Sequence, residues 1–326
     1  MHSKVPGSRS DRIQSPRWVD RSPHKSDYVL SKGVRLNYLD WGGPGPDLVL
    51  VHGYFGNPHD FDDLATALAS QFHVVAYARR GHGLSDAKGP FDTPTLSEDL
   101  RGLLDALGIA KAHLAGWSMG GNEMTHLAGA HPERVDRLVY LDAAYDWGDP
   151  EARQVFARVP VSITPPPAAL SSRDAYRNWW RADLIPGLGG RYPFEAALHE
   201  TFIVQPDGSL KPRTDPSVLE EIGVALSNDR RDYSRVRSPA LAIYAESFYD
   251  VQHGDPAQRA KNLAWEREYV IPFRQRSMDR VRHELSGAQI VTVPGTHLDF
   301  PFSSEGRVLK LMRRFLSAAP LAGTED

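Results

Sequence analysis

The feature that most constrains this chain is a repeated alternation between short apolar runs and helix-patterned segments. Leu48-Val49-Leu50-Val51, His73-Val74-Val75-Ala76-Tyr77, Ala112-His113-Leu114-Ala115 and residues 137–142 are each too short for a helix and largely apolar. Runs of this kind fit strands buried on both faces, as in parallel sheets. Between them lie helix-patterned segments at residues 61–70, 95–107 and 122–130. The second of these puts Leu96, Leu100, Leu103, Leu104 and Leu107 at helical spacing. Strands alternating with helices predict an α/β fold, a mostly parallel twisted sheet flanked by helices. Upstream, two alternating apolar runs around Ser31-Lys32-Gly33 predict a hairpin.

The alternation breaks between residues 147 and 234, where Thr164-Pro165-Pro166-Pro167, Trp179-Trp180 and Ile185-Pro186-Gly187-Leu188-Gly189-Gly190 interrupt helical pieces near 173–181 and 217–226. That change of composition predicts a helical cap (lid) insertion at 147–234. The core is then 27–146 and 235–326. Strand patterns return at 240–244 and 289–293, with helices at 256–285 and 306–316. Residues 1–26 are polar, basic and rich in Ser and Pro, and read as a flexible N-terminal arm lacking the apolar centre of a secretory signal.

The 326 residues are 41% hydrophobic and 24% charged, enough to bury a large core. Net charge is −3, and no block of like charge stands out. Neither nucleic acid nor an anionic membrane is therefore expected as a partner. No apolar stretch approaches the ~18 residues of a membrane span, and a cytoplasmic location is expected. With no cysteine, disulfides, thiolate-bound metals and thiol nucleophiles are excluded. No HExxH, Walker loop, GxGxxG after a strand or compact His/Asp/Glu cluster is visible, so no metal and no cofactor are expected. The partner expected is a weakly charged small molecule; a homo-oligomer stays open.

The strongest chemical signal is Gly116-Trp117-Ser118-Met119-Gly120, a G-x-S-x-G pattern with strand before and helix after. A sharp turn there holds the serine out above the sheet, and glycines let strand and helix pass closely. A serine hydroxyl needs a base to take its proton, and an imidazole titrates in the right range. His297, just after the final strand pattern, is the candidate among 13 histidines; His52 and His82 are read as loop braces.

On these residues the chain resembles the α/β-hydrolase superfamily from residue 28 to 316. His52-Gly53 after the first buried strand, Arg80-Gly81-His82-Gly83-Leu84-Ser85-Asp86 and Val293-Pro294-Gly295-Thr296-His297 are similar to that family's segments, in its order. The resemblance implies the α/β-hydrolase fold and an oxyanion hole from the backbone N–H groups of Tyr54 and Met119. It also implies a pocket touching Gly53, Phe55 and Trp117, with Trp179 and Trp180 of the cap as further candidates.

The acid is less plain. The family usually carries it in the loop after the 240–244 strand, where this chain has Ala245-Glu246-Ser247-Phe248 and then Asp250. Some members instead use an acid at the end of the preceding strand, here Asp142. Asp142 is preferred, Asp250 is the alternative, and Glu246 ranks third. Serine, imidazole and oxyanion donors imply acyl transfer to water. The expected substrate is an apolar ester or lactone, with aromatic and macrocyclic ones included, because Trp147, Phe156, Tyr176, Tyr192 and Phe194 crowd the cap. A strand-end acid beneath a cap resembles resorcylic macrolactone hydrolases. A serine argues against the epoxide hydrolase and dehalogenase branches. Carbon–carbon bond hydrolysis, perhydrolase or haloperoxidase-like chemistry, or a slow-turnover ligand receptor on the same fold are the alternatives.

Overall fold

The computed structural model of the protein describes residues 20–186 and 194–318. Most of the expected arm, the 187–190 glycine run and Tyr192 lie outside these residues. The chain enters β1 (Lys25–Ser31), two residues inside the segment read as the arm, and turns into β2 (Val34–Gly42). The two pair antiparallel as the expected hairpin, with Lys32 and Gly33 both at positive φ in the turn. Then follow β3 (Asp47–Val51), a short 3-10 turn (Pro58–Phe61), α1 (Asp62–Leu68), β4 (His73–Tyr77), α2 (Thr93–Ala106), β5 (Ala112–Trp117), α3 (Gly120–Ala130) and β6 (Val135–Leu141).

After β6 come α4 (Pro150–Ala157), α5 (Arg173–Trp179), α6 (Phe194–Thr201), β7 (Phe202–Val204), β8 (Leu210–Pro212) and α7 (Pro216–Asn228). The region is not wholly helical, because β7 and β8 pair as a small antiparallel ribbon. Its turn is Asp207-Gly208, with Gly208 at φ +89, the dipeptide that favours tight hairpin turns. The chain then returns through β9 (Ala240–Ser247), α8 (Pro256–Trp265), α9 (Ile271–Glu284), β10 (Gln289–Thr296), α10 (Phe300–Ser303) and α11 (Glu305–Leu316). The single helix expected at 256–285 is two, joined by a π-helical turn at Glu266–Val270. Pro272 sits at the start of α9; it has no N–H to give the ladder, and the wider turn absorbs the lost bond.

The main sheet runs β1-β2-β4-β3-β5-β6-β9-β10, parallel from β4 to β10 and antiparallel at the β1–β2–β4 edge. Period-two alternation divides its strands between two apolar layers. Val49 and Val51 face a layer with Leu100, Leu103 and Leu104 of α2 and Leu127 of α3. Leu48 and Leu50 face one with Leu64 and Leu68 of α1 and Met312 and Phe315 of α11. Both sides of β3 are thus sealed, which is why its run reads as continuously apolar. Burying each such side chain stabilises the fold by about 1.5–3 kcal/mol. Among the described residues no helix is long and apolar enough to cross a membrane.

Candidate active site

β5 ends at Trp117, and the chain reverses into α3 through Ser118, which holds a left-handed backbone at φ +53. That geometry is costly for a side chain bearing a Cβ and persists only where the surroundings enforce it. Here they do. A Cβ on Gly116 would lie 2.7 Å from the Gly120 carbonyl, one on Gly120 2.3 Å from the Val51 oxygen, and one on Gly121 2.3 Å from the Ala143 oxygen. Three glycines therefore let α3 press onto β3, β5 and the end of β6, and the turn lifts the Ser118 hydroxyl above the sheet. The Ser118 N–H donates to the Leu141 oxygen at 3.2 Å, tying the turn to the neighbouring strand.

His297 follows β10, and its N–H donates to the Ser247 oxygen at 2.8 Å. Its Nε2 lies 2.9 Å from Ser118 Oγ and its Nδ1 2.7 Å from Asp142 Oδ2. Asp142 is 1% exposed and, like Ser118, sits at positive φ (+46). Its other oxygen, Oδ1, accepts from the Tyr145 hydroxyl at 2.8 Å and the Ala245 N–H at 3.1 Å. Oδ1 is thereby occupied and Oδ2 aims at the imidazole. Burial, then the neighbouring Asp142 carboxylate, push the Tyr145 hydroxyl well above the usual phenol range, so it stays a donor.

The two other acids are elsewhere. Asp250 Oδ1 accepts from the Gln252 N–H in a local turn at 2.9 Å, and Glu246 is exposed. Phe248 occupies the loop position where the family usually has an acid. Its ring stacks on the His297 imidazole, centroids 4.8 Å apart and planes 5° apart. Tyr145 and Phe248 are the site residues that sequence reasoning missed, although Phe248 is a visible departure from the family pattern.

The loop after β3 runs beside the serine: a Cβ on Gly53 would sit 3.4 Å from Ser118 Cβ. His52 and His82 brace this loop. His52 Nδ1 lies 2.8 Å from the Gly53 oxygen while its Nε2 accepts the Arg79 N–H, and His82 Nε2 lies 2.6 Å from the Tyr54 oxygen. The Tyr54 hydroxyl donates to the Leu219 oxygen, so the loop is also tied to α7. Phe55 is 53% exposed, and Met119 is buried at the start of α3.

Burial, and then the Arg79 charge, lower His82 from 6.5 to about 4, and His52 moves well below its ordinary value for the same reasons. Between pH 6.5 and 4 the unfolded chain binds the protons that these buried rings refuse. The contribution of these two rings to stability is therefore full above about pH 6.5 and falls as pH drops toward 4, by on the order of 3 kcal/mol from His82 alone. Urea midpoints at pH 7 and 4.5 test this. His82→Gln, which keeps a donor for the Tyr54 oxygen, is expected to shrink the difference; an unchanged difference contradicts it.

Three expected pocket residues are packed otherwise. Trp117 is buried, donates from Nε1 to the His297 oxygen at 2.9 Å and meets Phe302 edge-on, so its role is to hold the histidine loop. Trp179 and Trp180 are also buried, packed with Phe194, Leu198, Phe202 and Leu210 in the apolar cluster that continues onto the Leu48 and Leu50 face of the sheet. The rings around the imidazole are instead Phe248 and, edge-on, Trp147 and Tyr145, with Phe156 against Trp147. A compact group of metal-ligating types, absent from the sequence pattern, does assemble away from this site from Asp20, His24 and His59.

A family model described as the α/β hydrolase fold matches residues 46–160. The dihydrolipoyllysine-residue acetyltransferase component of the acetoin cleaving system of Pseudomonas putida is 39% identical over 137 residues, 41% of this chain and 35% of that protein. The chain thus spans about a third of that relative's length. The 2-(acetamidomethylene)succinate hydrolase of Mesorhizobium japonicum is 27% identical over 233 residues, 68% of this chain and 80% of that protein. Among solved structures, the enol-lactonase of Burkholderia xenovorans LB400 superposes with a TM-score of 0.57 at 24% identity, covering 90% of this chain and 100% of that one.

Proposed function

This chain belongs to the α/β-hydrolase-fold superfamily, and on that premise we propose that it is a serine hydrolase that cleaves a carboxylic ester or lactone of an apolar small molecule. The observation that carries the reading is the unbroken relay Ser118 Oγ, His297, Asp142, with heavy-atom distances of 2.9 and 2.7 Å. In the proposed reaction Ser118 Oγ attacks the carbonyl carbon as His297 Nε2 takes its proton. Asp142 Oδ2 holds the Nδ1–H and stabilises the imidazolium. The negative oxygen of the tetrahedral intermediate is met by the N–H groups of Met119 and Tyr54, donors of a kind worth roughly 3–4 kcal/mol of barrier. His297 then protonates the departing alcohol, and water, deprotonated by the same imidazole, releases the acid. In a lactone, alcohol and acid leave as one opened chain.

The exposed rings of Phe55, in the loop beside Ser118, and of Phe156, against Trp147 and Phe248, support an apolar substrate, because aromatic surface rewards buried hydrocarbon and offers nothing to a charge. The test is a series of p-nitrophenyl esters and lactones of graded ring size. Linear turnover far beyond one equivalent is expected. kcat/KM should rise about three- to fourfold per added methylene until the pocket is filled. A burst of one equivalent without turnover would replace the reading by a receptor that keeps the relay. Inertness toward every ester and lactone would remove acyl transfer altogether.

A further inference from the structure

Asp20 and His24 lie just before β1, His59 in the 3-10 turn after β3, and Glu200 on α6, so three distant parts of the chain meet here. Asp20 Oδ2 is 3.0 Å from His24 Nε2 and 3.8 Å from His59 Nε2, and these three atoms lie within 4.8 Å of one another. Glu200 Oε1 is 3.4 Å from His59 Nε2. Ligand atoms around a tetrahedral zinc ion, each about 2.0–2.2 Å from the metal, are roughly 3.3 Å apart. The spacings scatter about that value.

Two further observations point to a cation rather than to ordinary ion pairing. The His24 side chain is 96% buried, yet neither of its ring nitrogens has a hydrogen-bond partner. Asp20 Oδ2 is close to Nε2 but off the line of a ring N–H. That is the arrangement of two atoms aimed at a shared third point. Asp20 Oδ1 is meanwhile taken by the Ser22 N–H at 2.9 Å, which leaves Oδ2 for the cluster. His59 Nδ1 lies 3.0 Å from Asp62, which orients the ring with Nε2 toward Asp20 and Glu200. An imidazole oriented by an outer carboxylate is the usual support of a metal-bound histidine. Glu200 Oε2 is buried without a partner. Among the described residues, no Lys or Arg is within ion-pair distance of Asp20, Asp62 or Glu200.

We infer that Asp20, His24 and His59 bind a divalent transition ion of the zinc type, with Asp62 behind His59 and Glu200, 3.4 Å from His59 Nε2, beside the cluster. Two imidazoles and a carboxylate suit zinc, and a shift of the adjacent Glu200 carboxylate onto the ion would complete the four ligands of a structural centre. The ion clasps the strand leading into β1, the turn below the Gly53–Phe55 loop, and α6. It draws on no residue assigned to acyl transfer, so it stands or falls independently of the proposed reaction.

The test uses the untagged full chain. Mass-spectrometric metal analysis after gel filtration in zinc-supplemented buffer is expected to give about one zinc per chain. Chelator-stripped protein should regain roughly 5–10 °C of melting temperature with zinc in large excess over Kd. Cobalt should give the intense visible bands of four-coordinate ligation. His24→Gln and Asp20→Asn should lose the tight zinc and the cobalt bands, while their p-nitrophenyl ester turnover persists. Two results overturn the site: stripped parent protein that neither takes up zinc nor gains stability, or variants that bind zinc as the parent does. The parent's cobalt spectrum and melting shift decide the matter even if a variant fails to fold.

Discussion

Ser118→Ala is expected to lower ester turnover by about 10⁶-fold while leaving the fold intact. The size follows from the unit the residue belongs to. Without Oγ, the imidazole 2.9 Å away has no proton to accept and no acyl-enzyme can form. What remains is substrate binding and oxyanion stabilisation, which in serine proteases still leave roughly 10³–10⁴-fold over water. Alanine, like serine, bears a Cβ at φ +53, so the turn keeps its strain and only the hydroxyl goes. Circular dichroism and the melting temperature establish that the variant is folded. Stopped-assay kinetics with a p-nitrophenyl ester then read the loss. Parent-like turnover in a folded Ser118→Ala protein would end the proposal that this hydroxyl is the nucleophile.

The second large effect separates two acids. Asp142→Asn is expected to cost roughly 10³–10⁴-fold in kcat, and Asp250→Asn less than about twofold. An amide opposite Nδ1 favours the wrong imidazole tautomer and cannot balance the charge of the imidazolium. Asp142 Oδ2 is the atom 2.7 Å from that nitrogen, whereas Asp250 is engaged with Gln252. Asn at 142 tolerates positive φ better than most residues, so the loss would not be a folding artefact. A reversed ranking of the two variants would return the acid to the loop after β9.

The reason the sheet is readable in the sequence and the acid is not lies in what each depends on. Leu48–Val51 and its counterparts are apolar on both faces, and that property is local to a few residues. The choice between Asp142 and Asp250 depends on neighbours in space. β6 lies between β5 and β9, with β10 beyond, so the ends of both β6 and β9 come near the histidine loop. Spacing along the chain cannot rank them. What does so in the fold is a set of nonlocal contacts: the Tyr145 hydroxyl and Ala245 N–H on Asp142, and the Phe248 ring over the imidazole.

Trp117, Trp179 and Trp180 illustrate the same limit. Aromatic richness points to an apolar interior, but not to which rings lie by the imidazole and which pack residues 147–234 against the sheet. The α4 helix, by contrast, carries a local sign. Asp149-Pro150 is a side-chain cap followed by a proline at the first helical position, as are Asp215-Pro216 and Asp255-Pro256. The Asp20, His24 and His59 group is invisible in the sequence for the opposite reason, since only the packing of β1 against the rest brings those residues together.

Anchoring the carboxylate to β6 has an evolutionary implication for the connection after β9. That connection is relieved of any duty to carry charge or to keep a fixed length for the sake of proton handling. Its aromatic residue can be exchanged, and the backbone around it lengthened or shortened, with the relay's geometry still dictated by strands. Divergence can therefore proceed there by small steps, each leaving the contacts between Ser118, His297 and Asp142 in place.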